Sequence, residues 1–334
     1  MKPQGALPPP AASAYETTPQ VAIIVPFYNV APYLDRCVKS LISQTLSPLE
    51  IVLVNDGSTD ASGAIADWYA QRHPQVRVVH QENRGQGPAR NAGLAVSTAP
   101  FVAFVDSDDY VTPDYAQGLL CAMRRTQADI AVCTYTVISS RLGLRSRPLM
   151  HRLLPAALTG AKALRLILRD TSIKNYSWNK LFRRTLFTDR GIIFPNICFE
   201  DIATMPRLFS RARRVAVVRE PLYFYCRRKG SLLGTYTPQR IADNITALTL
   251  VRDFLIASRQ YKRYRMAFAY LASKFSLYIA VDTLHLHFKQ GLPHAARGAW
   301  RAYWRTLALM HTAHRQLEAL IPEDEQDEPA QAMP

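Results

Sequence analysis

Four short apolar runs, each followed by a polar loop and then by a stretch of helical spacing, constrain this chain more than any other feature. They are "VAIIV" (21–25), "EIVLV" (50–54), "VRVVH" (76–80) and "FVAFV" (101–105). Runs of this kind mark strands buried on both faces. Between them, "PYLDRCVKSLISQ" sets Leu34, Val38, Leu41 and Ile42 at helical spacing, with Pro32 in the first turn. "ASGAIADWYAQ" and a segment near 88–96 are further helices, Thr112-Pro113 opens another, and "DIAVCTY" (129–135) is a fifth strand. Alternation across connections this short implies right-handed crossovers and an α/β fold with a mostly parallel sheet. Ligands of such sheets bind beyond the carboxyl ends of the strands. Here those ends lead into "PFYN", "NDGSTD", "QENRGQGPARN" and "DSDD", so four polar loops are expected to converge on one edge.

From about residue 141 the pattern changes. "LTGAKALRLILRD" (158–170), "WNKLFRRTLF" (178–187) and "FEDIATMPRLF" (199–209) read as helices, while "RVAVV" (214–218) and "LYFYC" (222–226) read as short strands. Beyond 240 the signals are long, basic and helical. Charge divides the same way. Residues 1–140 hold 9 basic and 12 acidic side chains, a net of −3, whereas 141–322 hold 32 and 9, a net of +23. Such a surplus suits phosphate-bearing partners: nucleic acid, anionic lipid headgroups or diphosphate substrates. Residues 1–20 read as a flexible Pro/Ala leader, 21–238 as the main domain, 239–322 as a helical basic region and 323–334 as an acidic tail. Five scattered cysteines without CxxC pairing argue for a reducing compartment. No window reaches eighteen uninterrupted apolar residues. "MAFAYLASKFSLYIAV" (266–281), broken by Lys274, is short for a span and reads as a core helix, with an interfacial helix on an anionic leaflet as the alternative.

The loop chemistry centres on carboxylates. On an extended strand end Asp106 and Asp108 would share one side, and two such charges ~4 Å apart repel by roughly 4 kcal/mol at an effective dielectric near 20. A hard divalent cation reverses that sign, and Mg²⁺ takes one or two protein carboxylates plus water and substrate phosphate. Asp109 reads equally well as a turn residue. Asp56, in "LVNDGSTD", sits in an Asp-Gly turn and could contact a base or ribose. "RGQGPARNAG" imitates a dinucleotide fingerprint, but Arg90 stands where the third small residue should pack, and a guanidinium there suits a charged ligand instead.

"VAIIVPFYN", "EIVLVNDGSTD", "ENRGQGPARNAG" and "FVAFVDSDDYV", in this order, resemble the family-2 glycosyltransferases, closely over 20–135 and more loosely through "LYFYCRRKGSL". The resemblance implies a Rossmann-like, A-type nucleotide-sugar fold, its donor half at 21–135 and acceptor half at 136–238. It is to inverting bacterial enzymes that build capsule, exopolysaccharide or lipopolysaccharide. By position, it implies that Asp56 contacts the donor base, with Pro26 and Tyr28 shaping that pocket. Asp106 and Asp108 resemble the D-x-D pair, Asp108 facing Mg²⁺ or Mn²⁺, and Arg90 resembles the arginine near the diphosphate or the acidic motif. Asp201 in "FEDI", beside Glu200, stands where the catalytic base belongs. The chemistry needs these types: a cation for charge developing on the leaving diphosphate, and a carboxylate to take the acceptor hydroxyl's proton.

Other readings stay open. Glu200 and Asp201 are also acids at a helix N-terminus. Trp178 is a core residue or stacks on a sugar, and Lys180 with Arg227, Arg228 and Lys229 forms a solvated basic face or holds phosphate. The expected partners are a nucleoside-diphosphate-sugar donor, a glycan or lipid-linked glycan acceptor and an anionic membrane on the cytoplasmic side, with no nucleic acid. The alternatives are a nucleic-acid binder using the basic half, where "YKRYR" (261–265) interleaves aromatics with bases, or a silent sugar-nucleotide-binding regulator.

Overall fold

The computed structural model describes residues 18–139, 145–146, 154–227 and 237–290. Residues 1–17, Arg228, Lys229, the part of the expected helical region beyond 290 and the acidic tail lie outside the described residues. Strands β1 (Val21–Phe27), β2 (Leu49–Asp56), β3 (Val76–Gln81) and β4 (Phe101–Phe104) form the parallel order β3-β2-β1-β4. Helices α1 (Ala31–Ile42), α2 (Ser62–Ala70) and α3 (Gln86–Val96) connect them. β1 and β2 are buried at every position, so they need apolar side chains on both faces, as their unbroken runs supply.

Beyond β4 the sheet continues β9-β6-β10-β5, built from β5 (Tyr110–Val111), β6 (Ile130–Ser139), β9 (Lys180–Arg183) and β10 (Arg214–Arg227). Two short strands, β7 (Arg145–Ser146) and β8 (Ala157–Thr159), pair with β6 and β10. β6 and β10 run parallel, whereas β9 is antiparallel to both its neighbours. The sheet is thus mostly parallel in its first half and mixed in its second.

Two expectations are corrected here. Residues 180–183 form a strand, not a helix, because "KLFR" fills the slot between β4 and β6 with Leu181 and Phe182 both fully buried, on opposite faces. Only Thr185–Thr188 (α6) is helical. The two short strands expected over 214–226 are one strand, β10, whose register shifts around Pro221; Pro cannot donate to the ladder, so the pairing slips there instead of ending.

Helices α4 (Tyr115–Thr126), α5 (Gly160–Arg169), α7 (Glu200–Phe209), α8 (Pro238–Ala257) and α9 (Tyr261–Gln290) complete the layers. One core cluster holds α1, α2 and α4 against the sheet; the other holds α3, α5, α7, α8 and α9 against its opposite face. Close approach of α3 depends on Gly93, where an added Cβ would lie 2.3 Å from Ile24 Cγ2. Among the described residues no helix is long and apolar enough to cross a membrane.

Candidate active site

The four loops do meet. Asn29, in the left-handed region at φ 50° just past β1, accepts from the backbone N–H groups of Thr59 and Asp60 through Oδ1 at 2.8 and 3.3 Å. That ties the first loop to the second. Pro26 is buried inside β1, opposite Val54, and Tyr28 is 46% exposed beyond it. Asp56 ends β2 and is buried. Its Oδ1 accepts from Gln81 Nε2 at 2.6 Å and the Arg84 N–H at 2.9 Å, and its Oδ2 from the Gly85 N–H at 2.8 Å. A carboxylate has about four acceptor positions, so Asp56 organises the third loop and keeps one on Oδ2. Gly85, at φ 93°, allows the chain to turn into α3 there.

α3 then presents Gln86 and Arg90, one turn apart on one face, to the fourth loop. Gln86 Nε2 donates to Asp106 Oδ1 at 3.2 Å and Arg90 Nη2 donates to the same oxygen at 3.0 Å. Through Nη1, Arg90 also donates to Glu200 Oε1 at the start of α7. This guanidinium is 2% exposed and sits against the rings of Phe104 and Phe194. Burial works against its charge, but Glu200, Asp106 and Asp201 outweigh that and hold it above its ordinary value. One cation therefore bridges the D-x-D loop to the "FEDI" helix.

The D-x-D residues are not on an extended strand, as alternation had suggested. β4 ends at Phe104, and residues 106–109 make a turn closed by the Asp109 N–H to the Asp106 carbonyl at 3.0 Å. Nor is a metal needed to explain why Asp106 is tolerated: its countercharge is Arg90. Burial, with Asp108 and Glu200 nearby, still pushes its carboxyl up to about 6 against the pull of Arg90. Asp109 is fully buried and structural. It accepts from the Tyr223 hydroxyl and the Cys226 N–H, both at 2.7 Å, pinning β10 under the turn. Tyr223 Oη in turn accepts from the Asp106 N–H at 3.1 Å, and Arg36 Nη2 donates to the Asp108 carbonyl at 2.7 Å. Asp108 itself stays partly exposed at the rim.

Glu200 and Asp201 open α7. Burial, the Glu200 charge and the weaker opposing pull of Arg90 bring the half-buried Asp201 carboxyl up to about 8. Its Oδ1 accepts from the Ile202 N–H at 2.7 Å.

The softer candidates divide. Lys180 is fully buried, and its ammonium donates to the Lys174 and Tyr176 carbonyls and to Asn179 Oδ1. An ammonium has three N–H groups, so the expected phosphate contact is replaced by a structural role; burial brings this amine down to about 7. Trp178, 4% exposed, lies in a stack with Tyr176, Tyr223 and Tyr225 at centroid distances of 4.8, 4.3 and 5.6 Å, which is the core alternative. Arg227 ends β10 at the site edge, next to the pinned Cys226. In "YKRYR" both tyrosines are buried, so no aromatic–basic reader surface forms. Two cavities of about 650 and 920 Å³ lie at the opposite edge of the sheet, sharing Arg183 and Arg213, away from these carboxylates.

Sequence reasoning missed Gln86, Arg36 and Tyr223; for Asp109 it offered the turn position that the structure shows, but not its partners on β10. Gln86 had a local signal, one turn before Arg90. The partners of Arg36 and Tyr223 are far along the chain, and nothing local announces them.

For a divalent ion, the available donors are hard carboxylate oxygens from one turn. Among the described residues no group of three or more acidic, His or Cys side chains could hold a metal ion. The set therefore fits an ion held by one or two carboxylates plus substrate oxygens, and not an all-protein cage.

Residues 22–191 match the model of the family Glycosyl transferase family 2. The chain is 31% identical over 262 residues to EpsH of Bacillus subtilis (strain 168), which is named as a glycosyltransferase; the match covers 74% of this chain and 72% of EpsH. To EpsJ of the same organism, an uncharacterized glycosyltransferase, it is 38% identical over 218 residues, 64% of this chain and 63% of EpsJ. A shorter stretch is 34% identical to chondroitin synthase of Escherichia coli, over 37% of this chain and 18% of that one. Among solved structures it superposes on S. aureus TarS 1-349 with TM-score 0.67, 20% identity and coverage of 89% and 87%. It also superposes on the mannosyltransferase PcManGT from Pyrobaculum calidifontis with TM-score 0.51, 17% identity and coverage of 98% and 92%. The family match spans more than half of the sequence and takes in every strand of the parallel half, the D-x-D turn and Arg90: the chain belongs to glycosyltransferase family 2.

Proposed function

We propose that this enzyme moves a sugar, with inversion, from a nucleoside-diphosphate donor to a glycan acceptor carried on a lipid, at the cytoplasmic face of an anionic membrane, in the synthesis of a cell-surface polysaccharide. The observation that carries the reading is the Arg90 bridge, which brings Asp106 of the donor half and Glu200 of the acceptor half to one guanidinium. In support, TarS has been solved with UDP-GlcNAc and PcManGT with GDP-Man and Mn²⁺.

In this reading Asp56 offers its remaining Oδ2 position to the donor base, beside Pro26 and the exposed ring of Tyr28. Arg90 fixes the Asp106 carboxylate, and Arg227 at the end of β10 meets phosphate. Mg²⁺ or Mn²⁺, held by Asp108 with Asp106 behind it, would neutralise charge on the diphosphate oxygens. Asp201, in its ionised form, takes the proton of the acceptor hydroxyl as that oxygen attacks the anomeric carbon and the nucleoside diphosphate departs. Its raised affinity for protons makes it a stronger base than an exposed carboxylate.

The test is nucleoside-diphosphate release from a panel of sugar nucleotides with Mg²⁺ or Mn²⁺. Asp201→Asn should lower turnover by about 10²–10⁴-fold, and Asp108→Asn should abolish the dependence on the metal. Equal rates in wild type and both variants would remove the assignments.

A further inference from the structure

α9 is apolar on two opposite sides. Its inner side carries Tyr264, Phe268, Leu271, Phe275 and Ile279, all buried in the core. Its outer side carries Met266, Tyr270, Leu277 and Val281, which are 70, 52, 63 and 49% exposed. At 3.6 residues per turn these four fall within about 60° of arc and run for about 22 Å along the helix. A soluble helix normally turns a polar face outward, and one that is apolar all round is covered by something.

The charges near the stripe indicate what covers it. Lys262, Arg263 and Arg265 are exposed on the first turns of α9, and Lys262 and Arg263 fall on the same side as the stripe. Between Tyr261 and Asp282 the helix has no acidic residue, and Asp282 is buried beside Arg240 at 3.4 Å. Lys274, the charge that interrupts the apolar run, is turned away and donates to the Asp170 carboxylate and carbonyl. What remains outside is an apolar strip, interrupted by Ser273, with a basic end. That combination suits an anionic lipid leaflet, where apolar insertion and attraction to headgroups reinforce each other and neither suffices alone.

The position of α9 also fits. The helix starts near Gln260, which lines the arginine-rich cavity at the far edge of the sheet. It ascends past Asp170, packs Phe275 against Phe199 at 6.2 Å, and reaches the Arg240–Asp282 pair. Phe199 immediately precedes Glu200 and Asp201. The inner side of α9 thus packs against the residue that leads into the Glu200–Asp201 pair.

We infer that the outer face of α9 lies in the interface of an anionic bilayer, parallel to its plane, and so holds the acceptor side of the site at headgroup depth. This rests on the reading above that the enzyme works at a membrane, and it names the surface that makes the contact.

The test is co-sedimentation of the full chain with vesicles of phosphatidylcholine alone or equimolar phosphatidylcholine and phosphatidylglycerol. Wild type should bind the anionic vesicles only, and less as salt rises. Met266→Ser with Leu277→Ser should lower partition by about tenfold or more, as should Lys262→Ala, Arg263→Ala and Arg265→Ala together. Circular dichroism and donor hydrolysis in solution should stay as in wild type for both. Wild type that ignores vesicles would overturn the inference and the membrane reading together. Wild-type binding that both variants retain would overturn the inference alone. So would a stripe variant that halves the solution mass, since the face then meets a second copy, or one that exposes residues 291–334 to protease, since it then meets the chain's own C-terminal segment.

Discussion

At the residue scale one guanidinium faces three carboxylates. Arg90 is the buried cation facing Asp106, Glu200 and Asp201, and both aspartates bind protons more tightly than an exposed carboxylate. The sign of the pH dependence follows. A carboxyl raised above its unfolded value contributes stability at low pH that is lost as pH rises through its folded value. Folding stability should therefore fall toward pH 8, and the ionised, base form of Asp201 should accumulate over the same interval. The rate of transfer should climb through about pH 8. Glu200→Gln, which removes the second cause of the shift, should move that limb to lower pH. A rate profile of wild type and variant checks this, and an unmoved limb would exclude Asp201 as the titrating base. Asp106 and Asp108 were singled out in the sequence because carboxylates crowded at the end of a buried strand need a countercharge, whereas Asp201 was singled out by the family resemblance, since acids are favoured at a helix start in any case. The countercharge was legible as Arg90's misfit to a dinucleotide loop and through the family resemblance. That Lys180 is caged by carbonyls was not legible at all, since a lysine beside "FRR" looks like surface until its strand is known to be central.

At the scale of elements, α3 is the part that sets the geometry. Its first turn receives the Asp56-organised loop, its second delivers Arg90, and its third touches the sheet at Gly93. Gly93→Ala would push a methyl group into Ile24 on β1 and Val54 on β2. It should destabilise by about 1–3 kcal/mol, measured by urea unfolding, and should weaken donor binding as well, because Gln86 and Arg90 ride on the same helix. Periodicity identified α1 through α5 and α7, and apolar runs identified β1, β2 and β4, which are almost wholly buried. β3 was found through "VRVV" although it is an edge strand buried only at Val76. Periodicity failed at β9, a strand of four residues whose "KLFR" has the same pattern as one turn of a helix, and at β10, where Pro221 resembled a boundary.

For the whole molecule, β9 decides what can be separated. It supplies the link between β4 and β6, so the sheet of the donor half is completed from residues 180–183. A fragment ending at residue 135 keeps all four parallel strands but leaves β4 without its second neighbour and Arg90 without Glu200. It should show no cooperative thermal transition by circular dichroism, whereas a fragment ending at residue 290 should. A sharp, reversible transition in the shorter piece would show that the parallel half folds alone. Part of the charge asymmetry has a physical place among the described residues: Arg183, Arg190, Arg207, Arg211 and Arg213 line the far edge of the sheet and Lys262, Arg263 and Arg265 are exposed at the start of α9.

The same strand has a consequence for how the protein is made. At ribosomal rates of about 5–20 residues per second, β9 leaves the ribosome roughly 4–15 s after β4. Throughout that interval Val102, Ala103 and Phe104 have β1 on one side and an open strand edge on the other. A cell producing this enzyme in quantity has to shield that edge during translation, and slow codons between the two strands should increase the share of chains lost to aggregation.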